Sequence, residues 1–251
     1  MDAILIEKLL GFAMIMTRIS AFFLVAPIFG VPSIPAIIKL SATVFLSIFF
    51  TLINPPVTTM PQASAVQAMV LLGSEATYGL ALGIVTGVIF AVVKLAGRIV
   101  EDQMGMTMAE MLDPLSDEQG LPIATVLELV FSIAFLAANG HHILLKILHH
   151  SFELFPAGQI PSISTLSRNI YEASAMMLTA SLQLAAPILA ALLIMLVILS
   201  LLARLVPEME IFFISFPLRI AVGFIMLIAF MPFVDDFVGE AAKMMTKILP
   251  F

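Results

Sequence analysis

Residues that could bind a metal ion are concentrated in one short stretch of this chain. His142, His149 and Glu153 stand at i, i+7 and i+11, close to one face of a helix, and His141 and His150 adjoin them. The stretch also fits an ordinary polar helix end near an interface, and its spacing differs from the His-Glu-x-x-His motif of zinc hydrolases. We predict no metal site here, and whether the histidines bind any ligand stays open.

Other signatures of catalysis do not occur in the sequence. There is no cysteine to act as a thiol nucleophile. There is also no glycine-rich loop of the kind that binds phosphate groups. We therefore predict no catalytic residue and no cofactor, and the chain is not expected to be an enzyme.

Methionines in the middle of the chain suggest a different chemistry. Thioether side chains are flexible and polarizable, so several of them close together form an apolar surface that can reshape around different partners. The sequence has such a group, followed by a turn signal: Met104, Gly105, Met106, Met108, Met111, Asp113 and Pro114. These residues indicate an adaptable constriction, although the acidic residues around them also fit a solvated connection between helices.

A glycine seam precedes the methionines. Gly79, Gly83 and Gly87 recur at a spacing of four and therefore lie on one helix face. Small residues at this spacing allow two helix backbones to approach closely, which is how helices associate inside a membrane. The spacing does not decide whether the partner helix lies in this chain or in another subunit.

Charged residues interrupt the apolar segments of the sequence. An Arg at the centre of a membrane helix costs roughly 2.5 to 3.5 kcal/mol on insertion scales, so it normally faces protein or water and has a partner. We predict buried polar or assembly roles for four such residues: Arg18, Glu75, Arg204 and Arg219. Protein, rather than lipid, is their expected neighbour.

The composition identifies a membrane protein. Hydrophobic residues make up 61% of the 251 residues and charged residues 11%, and the mean hydropathy is +1.15. Soluble domains do not reach such values. The net charge of −6 argues against nucleic acid, which requires a basic surface.

About six apolar segments, all readable as helices, must position these residues. No composition shift separates domains, so we expect a single membrane domain over 1–251. The segments lie at about 9–29, 36–53, 66–93, 123–145, 173–203 and 211–234. Arg18, Glu75, Pro187 and Pro217 interrupt them, which makes them poor conventional membrane spans.

Motifs in order along nearly the whole chain carry a family resemblance. The opening motifs are Thr17-Arg18, Ala26-Pro27-Ile28-Phe29-Gly30, Ile34-Pro35 and Lys39. The middle motifs are Gln103-Met104-Gly105, Asp113-Pro114, Asn139-Gly140-His141, Ser151-Phe152 and Phe155-Pro156-Ala157-Gly158. The last are Ala186-Pro187, Arg204, Pro207 and Phe216-Pro217-Leu218-Arg219-Ile220. Together they resemble the FliR family of flagellar export proteins.

The resemblance implies a fold and a function. The fold would be an all-α integral membrane protein of tilted, broken helical hairpins, packed into a hetero-oligomeric export gate. The chain would be a non-enzymatic gate subunit that forms, with FliP and FliQ, the pore for unfolded flagellar proteins. FlhB and FlhA would be further partners, and the protein would be located in the flagellar basal body in the bacterial inner membrane. The family's plug loop matches 104–121 and is expected to close the pore.

Two other functions fit part of the sequence. A homologous subunit of a virulence type III secretion system would share the same motifs. A secondary transporter or channel would use broken helices and intramembrane charges as a solute site, but the internal repeat expected of one is not visible. Neither the membrane orientation, the copy number nor the exported substrates follow from the sequence.

Overall fold

The computed structural model of the chain describes residues 2–30, 34–53, 64–106, 122–159, 163–205 and 211–248. These residues form α-helices and short turns, without a strand in the described ranges. The helices are α1 Asp2–Val25, α2 Ala36–Ile53, α3 Ala65–Met104, α4 Pro122–Ala137, α5 Gly140–Leu154, α6 Ile163–Leu205 and α7 Ile211–Ile248. The predicted all-α fold is confirmed.

Five of these helices are long and apolar enough to cross a membrane, or six spans result if α4 and α5 count as one broken span. This agrees with the predicted number of apolar segments. The segment boundaries differ, because α3 has 40 residues and α6 has 43, whereas one crossing needs about 20. The predicted apolar segments omitted the end of α3 after residue 93 and the beginning of α6 before residue 173.

The segment predicted at 123–145 is two helices. The break falls at Ala138 and Asn139, and Asn139 has the left-handed φ of 59°. Asn tolerates this conformation better than most residues do. By contrast, α6 continues through Pro187 and α7 through Pro217, which membrane helices allow when the freed backbone groups find other partners.

The described helices divide into two compact units. Unit 1 comprises Met1–Ile89, Asn139–Ser174 and Ala242–Phe251, and unit 2 comprises Phe90–Ala138 and Ala175–Ala241. Both α3 and α6 contribute residues to both units. That the chain functions as one membrane domain stays a prediction.

The core of unit 1 is built on α1. Ile15, Ile19 and Phe22 are fully buried and stand at i, i+4 and i+7, which makes one face of the helix. Residues of α3 and α5, among them Leu82 and Leu144, are buried in the same unit. This core surrounds the buried charges described below.

In the core of unit 2, the longest row of buried apolar residues lies on one face of α6 and forms a stripe. Along this stripe Ala185, Ile188, Leu192, Met195 and Leu199 are buried at alternating spacings of three and four. Most other apolar side chains of the same helix stretch are exposed, as expected for a helix with one face in protein and the others toward lipid or partner subunits. Residues from α3, α4 and α7 complete the cluster: Ala96, Val100, Met104, Ile123 and Leu227.

Candidate functional site

A buried ion pair lies at the centre of unit 1. The Nε atom of Arg18 donates to Oε2 of Glu75 at 2.6 Å, and both side chains are only 1% exposed. Three further hydrogen bonds hold the pair. Nη1 of Arg18 donates to the carbonyl oxygens of Ser151 at 3.1 Å and Phe155 at 2.8 Å, and the amide of Gly158 donates to Oε1 of Glu75 at 2.9 Å.

The location of these carbonyls explains why an arginine fits here. Ser151 and Phe155 lie at the carboxyl end of α5, where the carbonyl oxygens of the last turn and the helix dipole favour a positive charge. The planar guanidinium also packs on two aromatic rings, with Cζ 4.3 Å from the centroid of Phe152 and 4.7 Å from that of Tyr78. A lysine could not reproduce this set of directed donors.

This network brings together three motifs, one of which is far from the other two in the sequence. Arg18 belongs to the first motif, and Ser151, Phe152 and Gly158 belong to the middle ones. Sequence reasoning identified Arg18 and Glu75 as buried but did not pair them. The structure shows that each neutralises the other within the chain, so no partner subunit is needed for these two charges.

The glycine seam is also used inside unit 1. A Cβ atom added at Gly79 would collide with the backbone oxygen of Arg18 and lie 2.9 Å from Cβ of Ala21. At Gly83 the added atom would lie 3.0 Å from Cβ of Val25. The first two glycines therefore bring α3 against α1, and the alternative left open by the sequence is resolved for them in favour of intramolecular packing.

Gly87 differs from the other two seam residues. A Cβ atom added there would meet no described atom within 4 Å. The close contact between α3 and α1 therefore ends before this turn of the helix. Any role of Gly87 in helix packing would need a neighbour outside the described chain, and this role stays a prediction.

The methionine-rich segment begins in the core of unit 2. Met104 is fully buried at the end of α3, and its side chain lies on Gly223 of α7, where an added Cβ would be only 2.5 Å from the sulfur. Gly105 follows with a φ of +81°, which glycine adopts without strain. Met106 is half-buried against the unit 2 core. The other predicted loop residues, Met108, Met111, Asp113 and Pro114, lie outside the described residues.

Glu101 is a site residue that the sequence reasoning missed. Its side chain is 1% exposed, and Oε1 accepts a hydrogen bond of 2.6 Å from the amide of Ile123 in the first turn of α4. A carboxylate at a helix amino terminus is stabilised by the unpaired amides and the dipole. The available signal was its position three residues before Met104, on the same helix face.

The two arginines near the end of the chain have different surroundings. Arg204 is exposed on α6. Arg219 on α7 is half-buried, and its Nε atom is buried without a hydrogen-bond partner among the described residues. An unpaired buried donor is costly, so Arg219, unlike Arg18, is left incomplete by this part of the chain.

The histidines form local pairs on α5. Nδ1 of His150 lies 2.7 Å from Glu153, and Nε2 of His149 lies 3.6 Å from the same carboxylate. The rings of His141 and His142 are 4.2 Å apart. In the part of the chain that the structure describes, no group of three or more His, Asp or Glu residues is arranged to hold a metal ion.

Comparison with known proteins gives these features a family context. The model of the family described as bacterial export proteins, family 1, matches residues 9–245. The flagellar biosynthetic protein FliR of Bacillus subtilis (strain 168) is 32% identical over 232 residues, which cover 90% of this chain and 88% of that protein. The Escherichia coli (strain K12) protein of the same name is 31% identical over 220 residues, 88% of this chain and 84% of that protein.

A relative from a different system is also similar. The Yop proteins translocation protein T of Yersinia pestis is 27% identical over 235 residues, which cover 92% of this chain and 89% of that protein. The predicted resemblance to the FliR family is confirmed by matches of this length. The chain belongs to the family of bacterial export proteins, family 1.

Proposed function

We propose that this chain is a non-enzymatic subunit of the flagellar type III protein export gate. In this proposal it resides in the bacterial inner membrane, at the flagellar basal body, and forms with FliP and FliQ the pore through which unfolded flagellar proteins leave the cell. FlhB and FlhA are further partners in the same apparatus. The match to FliR proteins over about nine-tenths of the chain carries the coarse part of this proposal.

The burial of Met104 supports the pore role. An export channel has to admit unfolded chains of many sequences and still stay closed at rest. Methionines can pack together when the channel is empty and re-pack around a passing chain, and an apolar constriction resists wetting by ions. Because Met104 is fixed in a folded core, the methionines that follow it start from a defined position, and we assign the segment 104–121 as the seal.

The incomplete groups of unit 2 support assembly with other subunits. The Nε atom of Arg219 is buried and has no hydrogen-bond partner among the described residues. Leu193, Ile194 and Val197 leave an apolar face of α6 exposed beside the buried stripe. A partner helix with a hydrogen-bond acceptor would satisfy the arginine and cover such a face.

Purification of the tagged chain from its native membrane in mild detergent tests the proposal. Identification of every bound protein should find the other gate subunits, and deletion of the gene should abolish export of flagellar proteins while leaving their synthesis unchanged. Recovery of the chain alone from cells that assemble flagella, together with normal export in the deletion strain, would overturn the assignment.

The virulence-type subunit is the second candidate. The identity of 27% to translocation protein T is lower than the 32% to the Bacillus subtilis FliR, which favours the flagellar system. A deletion strain separates the two, because loss of swimming with normal secretion of effector proteins indicates the flagellar role. The reverse pattern indicates the virulence role.

A secondary transporter or channel remains the alternative from another class. It predicts solute flux through the isolated chain reconstituted in vesicles. The gate proposal predicts no flux from the isolated chain, because the pore requires the partner subunits. Saturable uptake of a solute by the isolated chain would support the transporter.

A further inference from the structure

We propose that a cleft between α2 and α5 binds one anionic phospholipid, with the headgroup phosphate on Lys146 and two neighbouring histidines and an acyl chain along apolar side chains of α2. Both helices lie within unit 1. The site goes beyond the proposed function, because lipid binding here does not depend on what the membrane complex transports.

The cleft is formed by one face of each helix. On both helices the lining residues stand at i, i+3, i+4 and i+7. They are Leu46, Phe49, Phe50 and Ile53 on α2, and His142, Leu145, Lys146 and His149 on α5. The two faces enclose a space of about 310 Å³, at the lower end of the range of small-molecule sites, about 300–1,000 Å³.

The α2 side of the cleft is apolar. Phe50 is buried, and its ring centroid lies 5.8 Å from that of His149 and 5.5 Å from that of Phe152. These ring contacts join α2 to α5. Phe49 and Ile53 beside them are 51% and 47% exposed. Half-exposed apolar side chains next to a buried ring form a suitable surface for an acyl chain.

The α5 side of the cleft is cationic. Lys146 is exposed and makes no ion pair with a described residue. Its ammonium group has three N–H donors, and each histidine ring has at least one. The nearby carboxylate of Glu153 lies on His149 and His150, at 3.6 and 2.7 Å, and none of the eight described lining residues is acidic. A phosphate group would therefore meet donors without a competing carboxylate in the lining.

The position of the cleft along α2 fits the depth of a lipid headgroup. This helix has 18 residues and is apolar enough to cross a membrane, and its length of about 27 Å is close to the thickness of the hydrocarbon layer. The lining residues lie within 46–53, and Asn54, Pro55 and Pro56 follow in the sequence. The cleft thus lies within about 12 Å of the end of the apolar span. Basic pockets between membrane helices near the membrane surface bind anionic lipid head groups.

The size of the cleft favours an acyl chain over a helix of a partner subunit. An α-helix is about 10 Å wide, so a segment of about 12 Å lying along 46–53 would occupy roughly 900 Å³. The cleft provides only about 310 Å³. A partner helix would therefore lie on top of the cleft and leave it unfilled. A phospholipid supplies both a narrow apolar chain and an acceptor for Lys146.

Cross-linking of a lipid probe tests the site. The tagged chain is purified from its native membrane in mild detergent, together with the subunits it binds. A photoactivatable phosphatidylglycerol is added and activated by light, and mass spectrometry of the peptides locates the label. We expect label on 46–53 or 142–149.

Competition identifies what the site recognises. Unlabelled phosphatidylglycerol should displace the probe at a concentration at least fivefold lower than phosphatidylcholine, because the ammonium group of the latter opposes the cationic lining. Inorganic phosphate should not displace the probe, since it has no acyl chain to bind along α2.

Three variants test the contribution of Lys146. Lys146→Gln removes the charge and should reduce labelling of the cleft at least fivefold. Lys146→Arg keeps the charge and should label within twofold of the wild type. Lys39→Gln is the matched control, because it removes the same charge from α2 outside the lining residues, and it should also stay within twofold.

Several results would overturn the site. Equal displacement by phosphatidylcholine would show that the lining does not recognise the headgroup charge, and displacement by inorganic phosphate would make a free anion the ligand. Unchanged labelling in Lys146→Gln would remove the lysine from the site. Absence of label from both peptides would mean that a partner subunit covers the cleft. The competition in the wild-type complex decides even if a variant is not recovered.

Discussion

Arg18 and Glu75 are 57 positions apart in the sequence, and in the folded chain they form a 2.6 Å ion pair that is almost completely excluded from solvent. Three further hydrogen bonds tie the pair to the end of α5 and the turn that follows. The cost of burying two charges is offset only when the geometry is good and the remaining donors and acceptors are satisfied. Here the ion pair is short, and the three further hydrogen bonds satisfy donors and acceptors on both side chains.

The first prediction concerns this pair. Arg18→Met should lower the free energy of unfolding by about 3–5 kcal/mol, because it leaves the Glu75 carboxylate buried and unpaired. The double variant Arg18→Met with Glu75→Met should be less destabilised than the sum of the single variants, since no lone charge remains. Chemical denaturation of the assembled complex in detergent measures the free energy of unfolding of the single and double variants.

Arg168→Met is the control for that experiment. Arg168 pairs with Glu172 at 2.8 Å, but the two side chains are 78% and 54% exposed. Loss of an exposed pair should leave the unfolding transition unchanged. Equal effects of the Arg18 and Arg168 variants would show that the buried network does not contribute to stability.

The second prediction is that alanine has different effects on stability at two glycines of the seam. Gly79→Ala should disrupt the packing of α3 on α1, because the added methyl group meets the backbone of Arg18, which cannot move aside as a side chain can. Gly87→Ala should be neutral or stabilise the helix by up to about 1 kcal/mol, since it has free space and alanine favours helices. The melting temperatures of the two variants are compared. Equal melting temperatures would contradict the close packing of α3 on α1 at Gly79.

The third prediction tests the contact between Met104 and Gly223. Gly223→Ala should destabilise unit 2 by about 1 kcal/mol, the lower end of the cost of overpacking, because the flexible thioether of Met104 has to shift. Met104→Ala in the same chain should relieve part of that cost, because the space is then free. Gly239→Ala on the same helix, which has no described atom within 4 Å of the added group, is the control and should be neutral or stabilise the helix by up to about 1 kcal/mol. Additive effects of Gly223→Ala and Met104→Ala would argue against direct contact.

A fourth prediction concerns the dependence on partner subunits. The buried Nε atom of Arg219, unpaired among the described residues, should make the isolated chain unstable in detergent, and co-expression with the other gate subunits should rescue it. Arg219→Leu should raise the stability of the isolated chain but reduce the yield of the complex. A stable, monodisperse wild-type chain without partners would contradict this.

How much of this could be predicted from the sequence depends on the range of each interaction. Helical class and the number of apolar segments follow from composition and run length, which are local properties. The segment predicted as continuous over 123–145 is two helices, and the break at Asn139 depends on one residue in a left-handed conformation. The ends of α3 and α6 lie in less apolar stretches, so apolar runs understate their length.

In the candidate site too, local features could be predicted from the sequence and long-range contacts could not. The sequence marked Arg18 and Glu75 as charges that need partners, because the cost of an isolated charge in an apolar segment is general. Their pairing, and the contact of Glu101 with the first turn of α4, depend on three-dimensional proximity that spacing does not encode. Gly223 had no signal of its own, since only the position of Met104 shows why a side chain is excluded there.

The most direct test of the central proposal, that this chain seals an export pore, is the leak of a complex lacking 106–111. The deletion removes the methionines after the buried Met104 and leaves that anchor and its contact with Gly223 in place. The expected result is a complex recovered at normal yield, with ion conductance or small-solute entry in resting cells well above the wild type. An intact complex as tight as the wild type would contradict the account, because the segment would then be only a connection between helices.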